Sequence, residues 1–142
     1  ITAKMIAHDT GYRFVDERQI HIDSLYRLFD AVQVPNVVVQ CPALCRFIHV
    51  FGQNEDVAVV MVHRSIDEII ASQERIDWTW ESIELAYYNF EGDVISQVKY
   101  DFWKEQKKQI LNAFDVQYHD LQGHSMWVPK EQRVEFGALQ TA

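Results

Sequence analysis

The stretch Val57-Ala58-Val59-Val60-Met61-Val62-His63-Arg64-Ser65-Ile66-Asp67-Glu68 decides the fold of this chain. Six of its first seven residues are apolar and most are valine, which is typical of a strand covered on both faces in a parallel sheet. Ser65 and Glu68 have the spacing of a capping box, which predicts that a helix begins there. The stretch therefore predicts a buried strand that runs directly into a helix, as in α/β proteins.

Arg64 stands at the junction of this strand and this helix, and Ser72 follows eight residues later inside the helix. Guanidinium groups bind phosphate oxygens in bidentate fashion, and the N-terminus of a helix attracts anions. We therefore expect Arg64 and Ser72 to hold a phosphate group. The alternative for Arg64 is an ion pair with Asp67 or Glu68, and the alternative for Ser72 is a small residue that lets the helix pack.

A second apolar run, Val37 to Cys41, precedes this unit and predicts another strand. Pro42 suits the first turn of the following helix, and Gly52 is placed to end it. Because the connections are short, we expect the two strands to be parallel, with a right-handed crossover. Gln40 to Pro42 and His63 to Ser65 should then share the rim of the sheet where α/β proteins bind ligands.

The remaining elements are predicted from hydrophobic spacing and from turn residues. Gly11 suits a left-handed cap at the end of the first helix. Helices are expected at Ile1 to His8, Gln19 to Val32, Glu81 to Phe90, Tyr100 to Phe114 and from Pro129 to about Phe136; strands are expected at Tyr12 to Val15 and Val116 to Leu121, with Val94 to Val98 either a strand or extended.

The composition indicates one globular domain spanning residues 1–142, since 48% of the residues are hydrophobic. A net charge of −8 argues against a general nucleic-acid binder, and no apolar run approaches the roughly 18 residues of a membrane span. Cys41 and Cys45 are the only cysteines and predict two buried, reduced thiols in a cytoplasmic protein. Because the first residue is Ile1, we expect that the natural start lies upstream.

Three segments resemble the P-loop sulfotransferase family, which uses 3′-phosphoadenosine-5′-phosphosulfate. Val59 to Gln73 is similar to the family's strand and helix in which an arginine, and a serine eight residues later, hold the 3′-phosphate; Arg64 and Ser72 stand at these positions. Thr2 to Ala7 looks like the helix after the phosphate-binding loop, so this loop and its strand would precede the first residue. Trp127 to Arg133 is similar to the C-terminal segment whose basic residues close over the 3′-phosphate.

The resemblance implies an α/β, three-layer P-loop NTPase-like fold with a mainly parallel sheet flanked by helices. It implies sulfuryl transfer from 3′-phosphoadenosine-5′-phosphosulfate to a hydroxyl or amine of a small molecule or saccharide, without a metal. The implied cofactor-binding residues are Arg64, Ser72, Lys130 and Arg133, although Lys130 and Arg133 also suit a solvated helix start. Gln40 departs from the family, which commonly has a lysine or histidine in this strand, and glutamine cannot act as a base. The catalytic residues therefore stay unassigned.

Two other functions are compatible with the sequence. A small-molecule or nucleotide kinase would use ATP with magnesium, with Arg64 and Arg75 as lid arginines and Asp16 or Glu17 as the nearest approximation to a magnesium ligand. A non-catalytic nucleotide-binding or interaction module would explain Gln40.

Two further groups of residues are candidates for the acceptor side. His8 is a candidate base, whereas the spacing of the six histidines does not predict a zinc site. The aromatic residues could line an acceptor pocket or pack in the core or a lid: Trp78, Trp80, Tyr87 and Tyr88.

Overall fold

A computed structural model describes residues 2–20, 25–80, 82–88, 92–127 and 129. Its helices are α1 (Thr2–Thr10), α2 (Glu17–Ile20), α3 (Leu25–Gln33), α4 (Ile66–Arg75), α5 (Ser82–Tyr88) and α6 (Ile95–Gln106). Its strands are β1 (Arg13–Asp16), β2 (Val37–Gln40), β3 (Val59–His63) and β4 (Ala113–Gln117). Segments of 3₁₀ helix cover Pro42–Phe51, Lys107–Gln109 and Tyr118–Gly123. The first helix ends as predicted, with Gly11 at a φ of +72°.

The strands form two parallel pairs, which confirms the general α/β class. β1 pairs with β2 from Arg13↔Val37 to Asp16↔Gln40, and β3 pairs with β4 from Val59↔Ala113 to His63↔Gln117. The prediction that β2 and β3 share one rim of a parallel sheet is wrong among the described residues, because the two strands lie in separate two-stranded sheets. A short crossover makes two strands parallel without fixing which strand lies beside each of them. The finer three-layer P-loop arrangement stays a prediction.

The predicted burial of β3 on both faces is also wrong. Val60 and Phe114 lie opposite each other across β3 and β4, and they are 37% and 53% exposed. A run of valines favours extended structure, but it does not specify what covers each face.

The main core lies around the first strand pair. Val15 of β1 and Leu28 of α3 pack with Leu44 and Phe51 of the 3₁₀ segment Pro42–Phe51. The Phe29 ring lies 4.8 Å from the Phe51 ring between centroids. The helix predicted to begin at Pro42 and to end at Gly52 folds as a 3₁₀ helix with an interruption at Leu44 rather than as one regular α-helix.

Gly52 ends this segment at a close approach between chain segments. A Cβ at this position would overlap the carbonyl oxygen of Gln109, so a side chain would force the segments apart. The Leu111 N–H donates to the Gly52 carbonyl at 2.8 Å. Gly52, which the sequence placed at the end of the helix, is therefore also required by the packing of the two chain segments.

The helix predicted at Tyr100 to Phe114 is displaced toward the N-terminus. Residues 95–106 form α6, so the alternative of a strand at Val94 to Val98 is wrong. Residues 113–117 form β4, so the predicted helix does not continue to Phe114. Ile110 and Phe114 have helical spacing, but Phe114 pairs with Val60 of β3 instead. Trp103 of α6 is 1% exposed, and its Nε1–H donates to Asp115 of β4 at 2.7 Å.

Among the described residues, no helix is both long enough and apolar enough to cross a membrane. The helix predicted from Pro129 to about Phe136 lies outside the described residues, except for Pro129 itself.

Candidate functional site

The junction of β3 and α4 is held from two sides. Ser65 is the N-cap of α4, and its Oγ accepts a hydrogen bond from the Glu68 N–H at 3.2 Å, as the capping-box spacing predicted. The Arg64 N–H donates to the Tyr100 hydroxyl at 3.0 Å, and this hydroxyl donates to the Val62 carbonyl at 3.1 Å. Tyr100 of α6 therefore fixes the backbone from which the Arg64 side chain emerges.

The Arg64 side chain is 24% exposed and has two well-defined contacts. Its Nε donates to Glu68 Oε2 at 3.1 Å, and its guanidinium carbon lies 4.3 Å from the centre of the Tyr118 ring. The ion pair that the sequence offered as an alternative for Arg64 is thus present.

Glu68 bridges two potential cations. The same Oε2 that contacts Arg64 lies 2.8 Å from His119 Nε2. The hydrogen bonds from Arg64 and then from His119 lower the pKa of the Glu68 carboxyl. The carboxylate therefore occupies the position between a guanidinium and an imidazole that an anionic ligand would also favour.

Arg64 and Ser72 line one cavity of about 420 Å³, which we call the Arg64 cavity. One wall is α4 and the other is the chain that follows β4, including the aromatic residues Tyr118 and Trp127, whose ring centroids are 5.0 Å apart. The cavity is lined by Arg64, Glu68, Ala71, Ser72, Arg75, Tyr118, His119, Gln122, Trp127 and Pro129. Phosphate binding by Arg64 and Ser72 stays a prediction, but the fold brings the two residues to one place.

The other two predicted cofactor-binding residues, Lys130 and Arg133, lie outside the described residues. Pro129, which directly precedes Lys130, lines the Arg64 cavity.

The residues predicted at the ends of the other strands lie elsewhere in the described structure. Gln40 pairs with Asp16 at the end of the first sheet, which is separate from the sheet that carries Arg64. Glu17 Oε2 accepts from the Ala43 N–H at 3.4 Å, and burial raises the pKa of Glu17 despite this bond. Neither Asp16 nor Glu17 lines the Arg64 cavity within the described part of the chain.

The candidate acceptor residues are also separate from the Arg64 cavity in the described structure. Tyr88 is fully buried, and its hydroxyl donates to the Ala43 carbonyl and accepts from the Arg46 N–H. This role in the core agrees with the packing alternative. Trp78 and Trp80 contact each other edge to face, and His8 lies at the exposed end of α1.

The two cysteines are free and half-buried, rather than fully buried as predicted. Burial raises the pKa of the Cys41 thiol to about 12 and also raises that of Cys45. Such thiols are poor nucleophiles near neutral pH.

Sequence reasoning missed Tyr118 and His119 as parts of the cavity. They directly follow β4, and β3 and β4 are parallel, so both strands end on the side where Arg64 emerges. The sequence signal was a tyrosine and a histidine directly after a strand, where ligands often bind in α/β proteins. The strand was predicted at Val116 to Leu121, which includes both residues, so they were not recognised as following a strand end.

Comparison of the chain with protein-family models, with curated proteins and with solved structures finds no match.

Proposed function

We propose that this chain binds a nucleotide of the adenosine 3′,5′-bisphosphate type in the Arg64 cavity and belongs to a sulfotransferase that uses 3′-phosphoadenosine-5′-phosphosulfate. The observation that carries the proposal is that Arg64 and Ser72, which the resemblance pairs on the 3′-phosphate, line the same cavity. A guanidinium and a hydroxyl that converge on one space supply the charge and the hydrogen bond that a phosphate group needs.

The size and lining of the cavity support a nucleotide rather than a bare anion. Its volume of about 420 Å³ is within the range of about 300–1,000 Å³ that is common for small-molecule sites. Tyr118 and Trp127 offer aromatic surface for a base, and Arg75 and His119 add potential positive charge. The proposed set of phosphate ligands also includes Lys130 and Arg133, which lie outside the described residues and follow Pro129 in the sequence.

The proposal includes the finer architecture. The two parallel strand pairs would belong to one three-layer P-loop NTPase-like fold, in which a further strand carries the phosphate-binding loop. Within the described residues each sheet has only two strands, and this supports the proposal because an isolated two-stranded pair is only marginally stable by itself.

The reaction would be in-line transfer of a sulfuryl group. The bond from sulfur to the phosphate oxygen of the donor breaks, a bond to the acceptor oxygen or nitrogen forms, and the acceptor loses its proton. Positioning and stabilisation of charge dominate such transfers. Gln40 can donate a hydrogen bond but cannot take this proton, so another group must do so, or the chain binds the nucleotide without turnover.

The test is a thermal-shift titration of the purified protein with adenosine 3′,5′-bisphosphate and, in parallel, with ADP and magnesium. A ligand present at 100 times its dissociation constant stabilises the folded state by about 2.7 kcal/mol. We expect a shift with the bisphosphate that Arg64→Ala and Ser72→Ala reduce. Arg18→Ala is the control, because the Arg18 side chain is 80% exposed and pairs with Asp16, away from the cavity.

The alternatives predict different results. A preference for ADP with magnesium would favour the kinase, in which Arg64 and Arg75 contact ATP phosphates. The absence of a response to either nucleotide would leave the interaction module. An equal response in Arg64→Ala and wild type would exclude the Arg64 cavity as the phosphate site.

A second variant tests the site through a change that should strengthen binding rather than weaken it. Glu68→Gln removes the negative charge that now contacts Arg64 and His119, so we expect severalfold tighter binding of the bisphosphate. Glu74→Gln is the matched control, since Glu74 is an exposed residue of the same helix. Weaker binding by Glu68→Gln in the same titration would contradict competition between Glu68 and the phosphate.

A further inference from the structure

Three side chains meet at the C-terminal end of α1, outside the residues that line the Arg64 cavity. His8 and Asp9 belong to the last turn of α1, and His124 follows the 3₁₀ segment Tyr118–Gly123, 115 residues after Asp9. His8 Nδ1 lies 3.1 Å from Asp9 Oδ1, and His124 Nε2 lies 2.9 Å from the same oxygen. One potential ligand atom from each residue lies within 4.8 Å of the other two.

We propose that His8, Asp9 and His124 form a binding site for a divalent transition-metal ion of the Zn²⁺ class. Two imidazoles and one carboxylate are a donor set that zinc and its neighbours favour over magnesium or calcium. With zinc bonds of about 2.0–2.1 Å, tetrahedral donor atoms lie roughly 3.3 Å apart. The two nitrogen–oxygen separations are already close to this value, and one ligand atom of each residue lies within 4.8 Å of the others, so the three side chains are near the arrangement that an ion requires.

The surroundings of the cluster fit an ion that enters from solvent. The side chains of His8 and Asp9 are 59% and 58% exposed, which leaves room for a water ligand in the fourth position. The rings of His8 and His124 are 6.0 Å apart and nearly perpendicular, so they are not stacked against each other. His124 is only 19% exposed and supplies the more rigid part of the site.

Metal binding should also change the backbone beside His124. The Met126 N–H now donates to His124 Nδ1 at 3.1 Å, so the ring proton is on Nε2, which points to Asp9. An ion on Nε2 requires the ring proton to move to Nδ1, and the bond from Met126 must then break. The Met126 amide therefore reports occupancy of the site.

The site would tie α1 to the segment that leads to the Arg64 cavity. The Trp127 N–H donates to the His124 carbonyl at 2.9 Å, and the Trp127 ring packs on Tyr118. An ion bound by His8, Asp9 and His124 therefore links the two regions directly. This inference rests on the cluster alone and does not require the proposed nucleotide.

The test is a calorimetric titration of the purified protein with zinc chloride. We expect one ion per chain, with affinity weakened at least about tenfold in His8→Ala and in His124→Ala, because even loss of an outer-shell partner has that effect. His49→Gln is the control, since His49 is exposed and contacts Gln106 instead. In ¹H–¹⁵N spectra recorded at equal zinc concentrations below saturation, the Met126 amide should shift more in the wild type than in His8→Ala.

Two results would overturn the proposal. A dissociation constant weaker than about 1 mM would mean that no specific site exists. If Cys41 and Cys45 bind the zinc instead, His8→Ala will bind it with the same affinity as the wild type. If His124→Ala fails to fold, the exposed His8 and Asp9 still allow the test through His8→Ala and Asp9→Asn.

Discussion

Asp115 is the side chain of β4 on which the most described contacts converge. Its Oδ1 accepts from His63 Nε2 at 2.6 Å and from Trp103 Nε1 at 2.7 Å, and its Oδ2 accepts from Lys107 Nζ at 3.1 Å. Partial burial by itself raises the pKa of this carboxyl, but the hydrogen bonds from His63, Trp103 and Lys107 outweigh it and lower the pKa to about 2. The ionised carboxylate is therefore favoured by folding.

The consequence is a loss of stability in acid. Because the pKa of Asp115 is lower in the folded than in the unfolded protein, its contribution is present above about pH 4 and is lost as the pH falls through about 2. We expect Asp115→Asn to lower the free energy of unfolding at pH 5 and to flatten its decline between pH 4 and pH 2. Urea denaturation across this range measures both effects.

The control for this experiment is Asp120→Asn, at an exposed position. It should decline with pH as the wild type does. An equally steep decline in Asp115→Asn would contradict the role given to this carboxylate.

At the scale of an element, α4 shows how one cap supports the candidate site. Ser65 has extended backbone angles, and its side chain accepts from the Glu68 N–H, so the helix begins immediately after Arg64. None of the residues of α4 is fully buried. The cap therefore matters more here than in a helix held by a deeply buried face.

We expect Ser65→Ala to lower the free energy of unfolding by about 1 kcal/mol, the usual effect of losing an N-cap side chain. Ser65→Asp should retain most of the stability, since aspartate caps helices equally well and favours the positive end of the helix. Chemical denaturation of the three proteins at neutral pH makes the comparison. Equal stability of Ser65→Ala and wild type would show that packing alone holds the start of α4.

At the scale of the whole molecule, a buried ion pair joins α5 to α6. Lys99 Nζ lies 2.7 Å from Glu84 Oε2, and the two side chains are 13% and 5% exposed. The Lys99 ammonium also lies 5.0 Å from the centre of the Tyr88 ring and 5.1 Å from that of Trp80. Removing one partner would leave a charge in an environment that water hardly reaches.

Glu84→Ala should therefore destabilise the protein by about 3 kcal/mol, within the range for breaking a buried pair from one side. The double variant Glu84→Leu/Lys99→Met should recover much of this loss, because it removes both charges and keeps the volume filled. Both changes are measured by urea denaturation.

Glu105→Ala is the comparison, since the Glu105 and Lys108 side chains are 77% and 68% exposed and such pairs contribute little. If Glu84→Ala and Glu105→Ala have equal effects, the Glu84–Lys99 pair does not hold α5 against α6.

The sequence by itself determined the features that depend on neighbouring residues. The N-cap at Ser65, the left-handed Gly11 and the strand leading to Arg64 follow from local spacing and backbone preference, and the structure contains each of them. Ser72 could be placed near Arg64 for the same reason, because the periodicity of a helix fixes which residues share a side.

Only the tertiary structure decided which distant segments meet. β2 pairs with β1, and β3 pairs with β4. Apolar strands of similar composition do not show in their own sequences which partner each will have, so this pairing depends on long-range contacts. The meeting of Glu68 with His119, and that of Asp9 with His124, join residues far apart in the chain. Local patterns determine caps, turns and the strand before Arg64, whereas the bounds of α6 and β4 and both sites depend on packing, because only packing brings distant residues together.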